Sequence, residues 1–298
     1  MSNFDDIFDT QSARKNLNDQ PFDKDAWAEK KQAERKAVYD LADTTAEAVS
    51  MDGGRYRDYL DVQARFDRYS ATNALLILAQ MPQATQLKDF DGWRDAGASI
   101  KKQQKGISIL EPGEEYDRED GTKGTSYNVK KVFDISQTTA RAKAQPTVSV
   151  DDRLLLRALI NNPPVPMQTV DALPNNMGAL YDHEQQVIFV RRGMTADDIF
   201  RSVSKEVAHA ELAAVNDNYT REGAAFAAYS VSYMLCRKNG IECGGYDFSR
   251  LPDDFRDADP QSVRATLTEI RDTASEISAR MSRVLEQSKA PKSKEQER

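Results

Sequence analysis

Lys205-Glu206-Val207-Ala208-His209 stands inside a helix predicted from Thr195, its cap, to about Val215. The stretch is one residue away from His-Glu-x-x-His, the helical pattern of zinc hydrolases. That pattern works because positions i and i+4 share one helix face, so two imidazoles grip one Zn²⁺ while the Glu activates the metal-bound water. Here Glu206 and His209 are in place and position 205 is Lys. An ammonium cannot ligate, and it repels a dication. The scaffold of a zinc site is therefore expected with part of its ligand set missing.

Around this helix the pattern of apolar residues predicts an α+β fold in two domains. Downstream, a helix runs from about Arg221 to Lys238 and stops at Asn239-Gly240. A last helix, about Gln261–Gln287, places Val263, Leu267, Ile270, Ala274, Ile277, Met281 and Val284 at alternating spacings of four and three. At this length, packing within the chain is the expected use of that stripe, ahead of self-association. Upstream, Gly178–Tyr181 and Gln186–Val190 alternate like a hairpin around Asp182-His183, with a strand at Val165–Val170 and a helix at Asp151–Ile160 before them. These elements make a C-terminal domain, 151–287.

The N-terminal domain, 25–138, begins with a helix over Asp25–Met51 in which Trp27, Val38, Leu41, Ala42, Ala48 and Val49 are the apolar members. Gly53-Gly54 stops it. A helix or helix pair over 55–80 and a short helix around Trp93 follow. Two strands, Gly106–Leu110 and Tyr127–Ile135, are joined by a long exposed loop containing Pro112-Gly113, an acidic stretch and Gly121. Residues 1–24 and the tail 288–298 read as disordered, and 139–150 as a linker.

Composition narrows the function. The 298 residues carry a net charge of −7, so a nucleic-acid site would have to be a local basic patch. Two cysteines, Cys236 and Cys243, form no disulfide framework and read as free thiols of a cytoplasmic protein. With two His and two Cys in all, a structural zinc would need every one of them. No apolar run is long enough for a membrane span, and the acidic start is not a secretory signal.

One such patch is legible. Between Arg55 and Leu110 nine basic residues stand against six acids. Arg57, Arg65, Arg68, Arg94, Lys101, Lys102 and Lys105 are interleaved with Tyr56, Tyr59, Phe66, Tyr69 and Trp93. Cations that track phosphates and aromatic faces on which bases stack are what single-strand binding requires. The competing reading puts the aromatics in the core, as favoured for Phe66 and Trp93, and the charges on a solvated surface. Asn73, in a helix rich in Leu and Ile, is either a structural hydrogen-bonding group or a base contact.

The runs Arg55-Tyr-Arg-Asp-Tyr-Leu60, Arg65-Phe-Asp-Arg-Tyr-Ser-Ala-Thr-Asn73, Leu75–Gln80, Pro82–Thr85, Phe90-Asp-Gly-Trp93, Lys101-Lys102, Lys105–Leu110 and Val132–Thr138 resemble the N-terminal domain of ArdC-type antirestriction proteins and of LtrC-like proteins of conjugative elements. The second half resembles their zincin-like metallopeptidase domain, related to the ImmA/IrrE peptidases: Ile188–Met194 precedes the active-site helix, Val203–Leu212 matches it, and Tyr229–Cys236 matches the segment that carries the third zinc ligand. The resemblance implies a single-stranded-DNA-binding domain fused to a peptidase fold, on a mobile element or phage. It also places that third ligand, a Glu, on Tyr229. Of three protein ligands only His209 remains, with Glu206 as the vestigial general base.

The expectation is thus a DNA-binding protein with Arg57, Arg65, Arg68, Tyr69, Asn73, Arg94, Lys101, Lys102 and Lys105 at its site. Its C-terminal domain is a catalytically inactive scaffold or protein-partner surface. No catalytic residue, metal or cofactor is expected, the ancestral zinc being lost. In this reading Lys205 satisfies Glu206 or a nearby carboxylate, Tyr229 fills the vacated volume and bonds toward His209, and His183 is a surface turn residue. The alternative is a metallopeptidase with a rearranged site that recruits Glu211, Asp217 or Glu222 and acts on a repressor or host defence protein. Oligomeric state and DNA sequence preference are left open.

Overall fold

The computed structural model describes residues 23–117, 121–141 and 151–289. The expected loose N-terminus, most of the linker, the turn of the long hairpin and most of the charged tail fall outside these residues. Two compact units are distinguished, one up to Ala37 and a body from Val38 onward. The described part of the first unit is the beginning of helix α1 (Lys24–Met51), where Lys31 pairs with Glu34 at 3.1 Å and Trp27 is exposed.

The body is mixed α and β. Its part of α1 buries Val38, Ala42, Ala46 and Val49, a spacing of three to four that keeps one face inward. Val38 and Ala42 meet Leu76 and Leu110. The expected helix pair is α2 (Gly53–Arg65) and α3 (Ala71–Gln80), each begun by a side-chain cap, Asp52 to the Arg55 N–H and Ser70 to the Asn73 N–H. Gly53 is required where it stands: a Cβ there would run into the carbonyl of Phe248. β1 (Leu87–Lys88) and α4 (Phe90–Asp95) lead to β2 (Ile107–Asp117) and β3 (Lys123–Asp134), which form an antiparallel sheet in the order β1-β3-β2.

The β2–β3 hairpin corrects the sequence reading. Pro112-Gly113 and the acids after it do not open a loop. The ladder absorbs Pro112 in a register shift before Glu115 and continues to Asp117 opposite Lys123. Ser126 Oγ on the Glu114 carbonyl and an ion pair from Lys123 to Glu115 hold the extended arm. β2 is an edge strand, and its outer edge is covered by side chains. Asn73 Nδ2 donates to the Leu110 carbonyl and Asn73 Oδ1 accepts from the Leu110 N–H, both at 2.8 Å. Gln80 makes the same pair with Ser108 at 2.9 Å. Two amides of α3 thus satisfy backbone groups that an open edge would leave to water or to another strand.

The second half follows the expected order: α5 (Asp152–Leu159), β4 (Met167–Val170), β5 (Ala179–Asp182), β6 (Val187–Arg191), α6 (Ala196–Val215), α7 (Arg221–Asn239), a single turn α8 (Asp253–Arg256) and α9 (Pro260–Lys289). β6 pairs parallel with β4 and antiparallel with β5. Thr195 and Thr220 cap α6 and α7. Gly240, at φ +74, ends α7 in the left-handed conformation that glycine adopts without strain. The α9 stripe, Val263 through Met281, is buried in the body's own core together with Tyr56, Leu60 and Ile77 of the first half and Val231 and Leu235 of α7. Among the described residues no helix is long and apolar enough to cross a membrane.

Candidate functional site

The face of α6 that carries Glu206 and His209 turns inward, against β5 and α7. Glu206 is fully buried. A buried carboxylate is costly unless charge and hydrogen bonds compensate it. Three donors do so here. The Tyr181 N–H from β5 reaches Oε2 at 2.9 Å. Arg221, at the first turn of α7, grips both oxygens, Nη1 to Oε2 at 2.8 Å and Nη2 to Oε1 at 2.9 Å. Lys205 lies at 3.6 Å from Oε1 and is the weaker partner. Lys205 does pair with Glu206, as its sequence position suggests, but the closer partner is Arg221, whose planar fork matches a carboxylate bidentately. Burial opposes the charge on Arg221, but the Glu206 bond and charge outweigh it and hold its pKa above the ordinary value.

His209 is 2% exposed. Burial drives its pKa down to about 4; the Glu206 charge opposes that shift, and Arg221 and Lys205 add to it. The imidazole is therefore neutral near pH 7. Its Nδ1 meets the hydroxyl of Tyr219 at 3.1 Å. Burial pushes the Tyr219 phenol up to about 12, so it is a neutral hydrogen-bonding group there.

Tyr229 does not face His209, in contrast to the expectation. Its hydroxyl accepts from the Asp247 N–H at 2.8 Å, and its ring packs on Tyr246 and Phe248. The volume beside His209 is filled from the α6–α7 turn by Tyr219 instead. His183 is exposed, as a turn residue should be, yet it rims the same place. Its ring lies 5.0 Å from that of Tyr219, and its Nδ1 is 3.1 Å from the Tyr181 hydroxyl. The two histidines of the chain therefore flank one tyrosine. Glu211, offered as a replacement ligand, pairs with Arg280 of α9, while Asp217 and Glu222 are exposed. Among the described residues no three His, Cys, Asp or Glu side chains gather as a metal-binding group. Cys236 and Cys243 are free and buried, and burial raises the Cys236 thiol to about 12.

The nine residues read as a nucleic-acid site divide by position. Asn73 is 7% exposed and spends its amide on Leu110, so it is a structural group. Tyr69 is half-buried, edge-on to Phe66. Arg57, Arg65 and Arg68 follow one another along α2 and the turn after it. Arg57 Nε donates to Tyr233 Oη at 3.1 Å, Arg65 donates to the carbonyls of Pro82 and Ala84, and Arg68 is exposed. Arg94 is exposed on α4 and paired with Asp91 at 2.9 Å. Lys101, Lys102 and Lys105 are exposed on the loop before β2, with Lys101 Nζ on the Ser136 carbonyl at 2.8 Å. The interleaved aromatics are mostly core: Tyr56, Tyr59, Phe66 and Trp93 are all buried. They cannot serve as stacking platforms.

Comparison with known proteins gives structural neighbours. The metal-free crystal structure of antirestriction ArdC protein from plasmid R388 aligns with 73% of this chain and 84% of its own, at 15% identity and a TM-score of 0.42. The Mn(II)-bound structure of the same protein aligns with 72% and 84%, at 14% identity and a TM-score of 0.47. No family model and no curated protein matches the chain.

Proposed function

We propose that the protein binds single-stranded DNA and that its peptidase-like half is catalytically inactive. The antirestriction and mobile-element setting comes from the sequence resemblance between residues 52 and 138. The observation that carries the binding reading is the exposure of Arg57, Arg68, Lys101, Lys102 and Lys105 within a chain of net charge −7. These cations are presented to solvent, while Glu114, Glu115 and Asp117 stand at the far end of β2 from the lysine loop. With the large aromatics buried, affinity should rest on phosphates more than on stacking.

The inactive half is argued from the Glu206–Arg221 pair. The guanidinium already supplies the positive charge a metal would bring to this carboxylate, and both carboxylate oxygens are occupied. With Lys205 beside it, Tyr229 turned to Asp247 and His209 closed on Tyr219, the residues present do not fit a zinc ion.

Anisotropy of a labelled oligonucleotide, single-stranded against duplex over a salt series, tests the binding reading. Single-strand preference is expected, with a salt slope that falls when Lys101, Lys102 and Lys105 are changed together to Glu, since each lost phosphate contact removes counterion release. An absence of binding at low salt refutes it. Stoichiometric zinc in the purified protein would refute the inactive assignment and favour a metallopeptidase with a rearranged site.

A further inference from the structure

The last turn of α7 brings Arg237 and Lys238 against the face of α2 that carries Asp61, Arg65 and, past its end, Asp67 and Arg68. Arg237 holds Asp61 with Nε at 2.7 Å and Nη2 at 3.1 Å, and Lys238 holds Asp67 at 2.5 Å. Two clefts open here, of about 370 and 380 Å³, and they share Asp67 and Lys238. The first is lined by α2 and the end of α7. The second continues between the α2–α3 turn and α9, where Arg271, Ser275 and Ser282 face it. Together they make a groove lined by five cations and two carboxylates, with a third carboxylate, Asp272, bonded to Arg271 beside it.

We propose that this groove seats the phosphodiester backbone of single-stranded DNA. The inference rests on the binding reading above and extends it to residues of the second half, Arg237, Lys238 and Arg271. Three features support it. The excess of cations is local in an acidic chain, which focuses the field on the groove. The carboxylates fix Arg237 and Lys238 in place, so little side-chain freedom is lost when a phosphate arrives. Arg271 and Lys238 are recessed, with side chains 26% and 31% exposed. A flexible single strand can enter to reach them, whereas a rigid duplex meets the helices that rim the groove.

The test is lysine acetylation of the full-length protein, read by mass spectrometry, without DNA, with oligothymidylate and with a duplex of equal length. Anisotropy reports binding in the same buffers. Protection of Lys238 by the single strand, greater than by the duplex, is the expected result. Binding that leaves Lys238 as reactive as in free protein overturns the groove while the single-strand reading stands. Equal protection by the duplex overturns the single-strand geometry. No binding of oligothymidylate overturns both. The exposed Arg68 gives a variant with no buried contact to lose. Arg68→Glu should lower the salt slope by about 0.7 and affinity at 0.1 M salt roughly five-fold, at unchanged melting temperature. An unaltered slope in that variant also counts against the groove.

Discussion

Arg221→Ala isolates what the ion pair at Glu206 contributes. The substitution removes two hydrogen bonds of 2.8 and 2.9 Å from a carboxylate with no exposed surface. Stranding one member of a buried pair costs about 3–5 kcal/mol. Two features reduce that figure. The Arg221 side chain is 31% exposed, so water can follow it out, and Lys205 and the Tyr181 N–H remain. Discounting for both, we expect a loss of about 2–3 kcal/mol, or roughly 4–12 °C in melting temperature. Urea unfolding followed by circular dichroism measures it. The paired replacement Glu206→Met with Arg221→Met should lose less than the single change, because no buried charge is stranded and only the Tyr181 N–H is left without its acceptor. Stability of Arg221→Ala within about 0.5 kcal/mol of wild type, the range of a plain surface change, would show that the pair is not what satisfies Glu206.

Asn73→Leu should lower stability by about 2–4 kcal/mol, by stranding the Leu110 N–H and carbonyl, and leave oligonucleotide affinity at its wild-type value; denaturation and anisotropy on one sample separate the two. His209 binds its proton more weakly folded than unfolded, so the unfolded chain takes up more protons between the ordinary imidazole value of 6.5 and about 4. Its contribution is complete above that window and is lost as pH falls through it, a change of about 3 kcal/mol that His209→Gln should remove from the pH–stability curve. Restoring ligands with Lys205→His and Tyr229→Glu should not create tight zinc binding while Arg221 holds Glu206. Adding Arg221→Ala should create it, and zinc titration that finds the double variant already tight would contradict the assignment.

Helix limits were readable because the capping groups are local. Thr195 and Gly240 announce their helix limits within a few residues, and the α9 stripe carries its own period, whereas the Asp52 and Ser70 caps that divide 55–80 into α2 and α3 emerge only in the structure. The extent of β2 was not readable. Pro112-Gly113 and a run of acids look like a turn until the register shift and the Lys123–Glu115 pair across the ladder are seen. At the candidate site, Lys205 was conspicuous because it replaces a ligand, yet Arg221 does most of the work. A buried Glu on α6 demanded a cation, and one signal for it was available: Thr220 caps the next helix, which sets Arg221 in its first turn. Tyr219 carried no comparable mark. Nor did Arg237, Lys238 and Arg271, because groove membership depends on which helices pack together, and periodicity within one helix does not specify its neighbours.

The seam between α2 and α7 has a consequence for synthesis. Tyr56 shares a hydrogen bond with Ser230, Asp61 accepts from Tyr233 and Arg237, and Gly53 lies against Phe248, all across roughly 170 to 195 positions of chain. At about 5–20 residues per second, the ribosome needs on the order of 10–35 s after making Asp61 to deliver its partners. During that interval Tyr56 of α2 lacks the cover that Phe226, Phe248 and Phe255 give it. Slow translation therefore lengthens the time this surface is open to chaperones and to wrong contacts, and a stall before α7 leaves an N-terminal fragment with an unsealed apolar face.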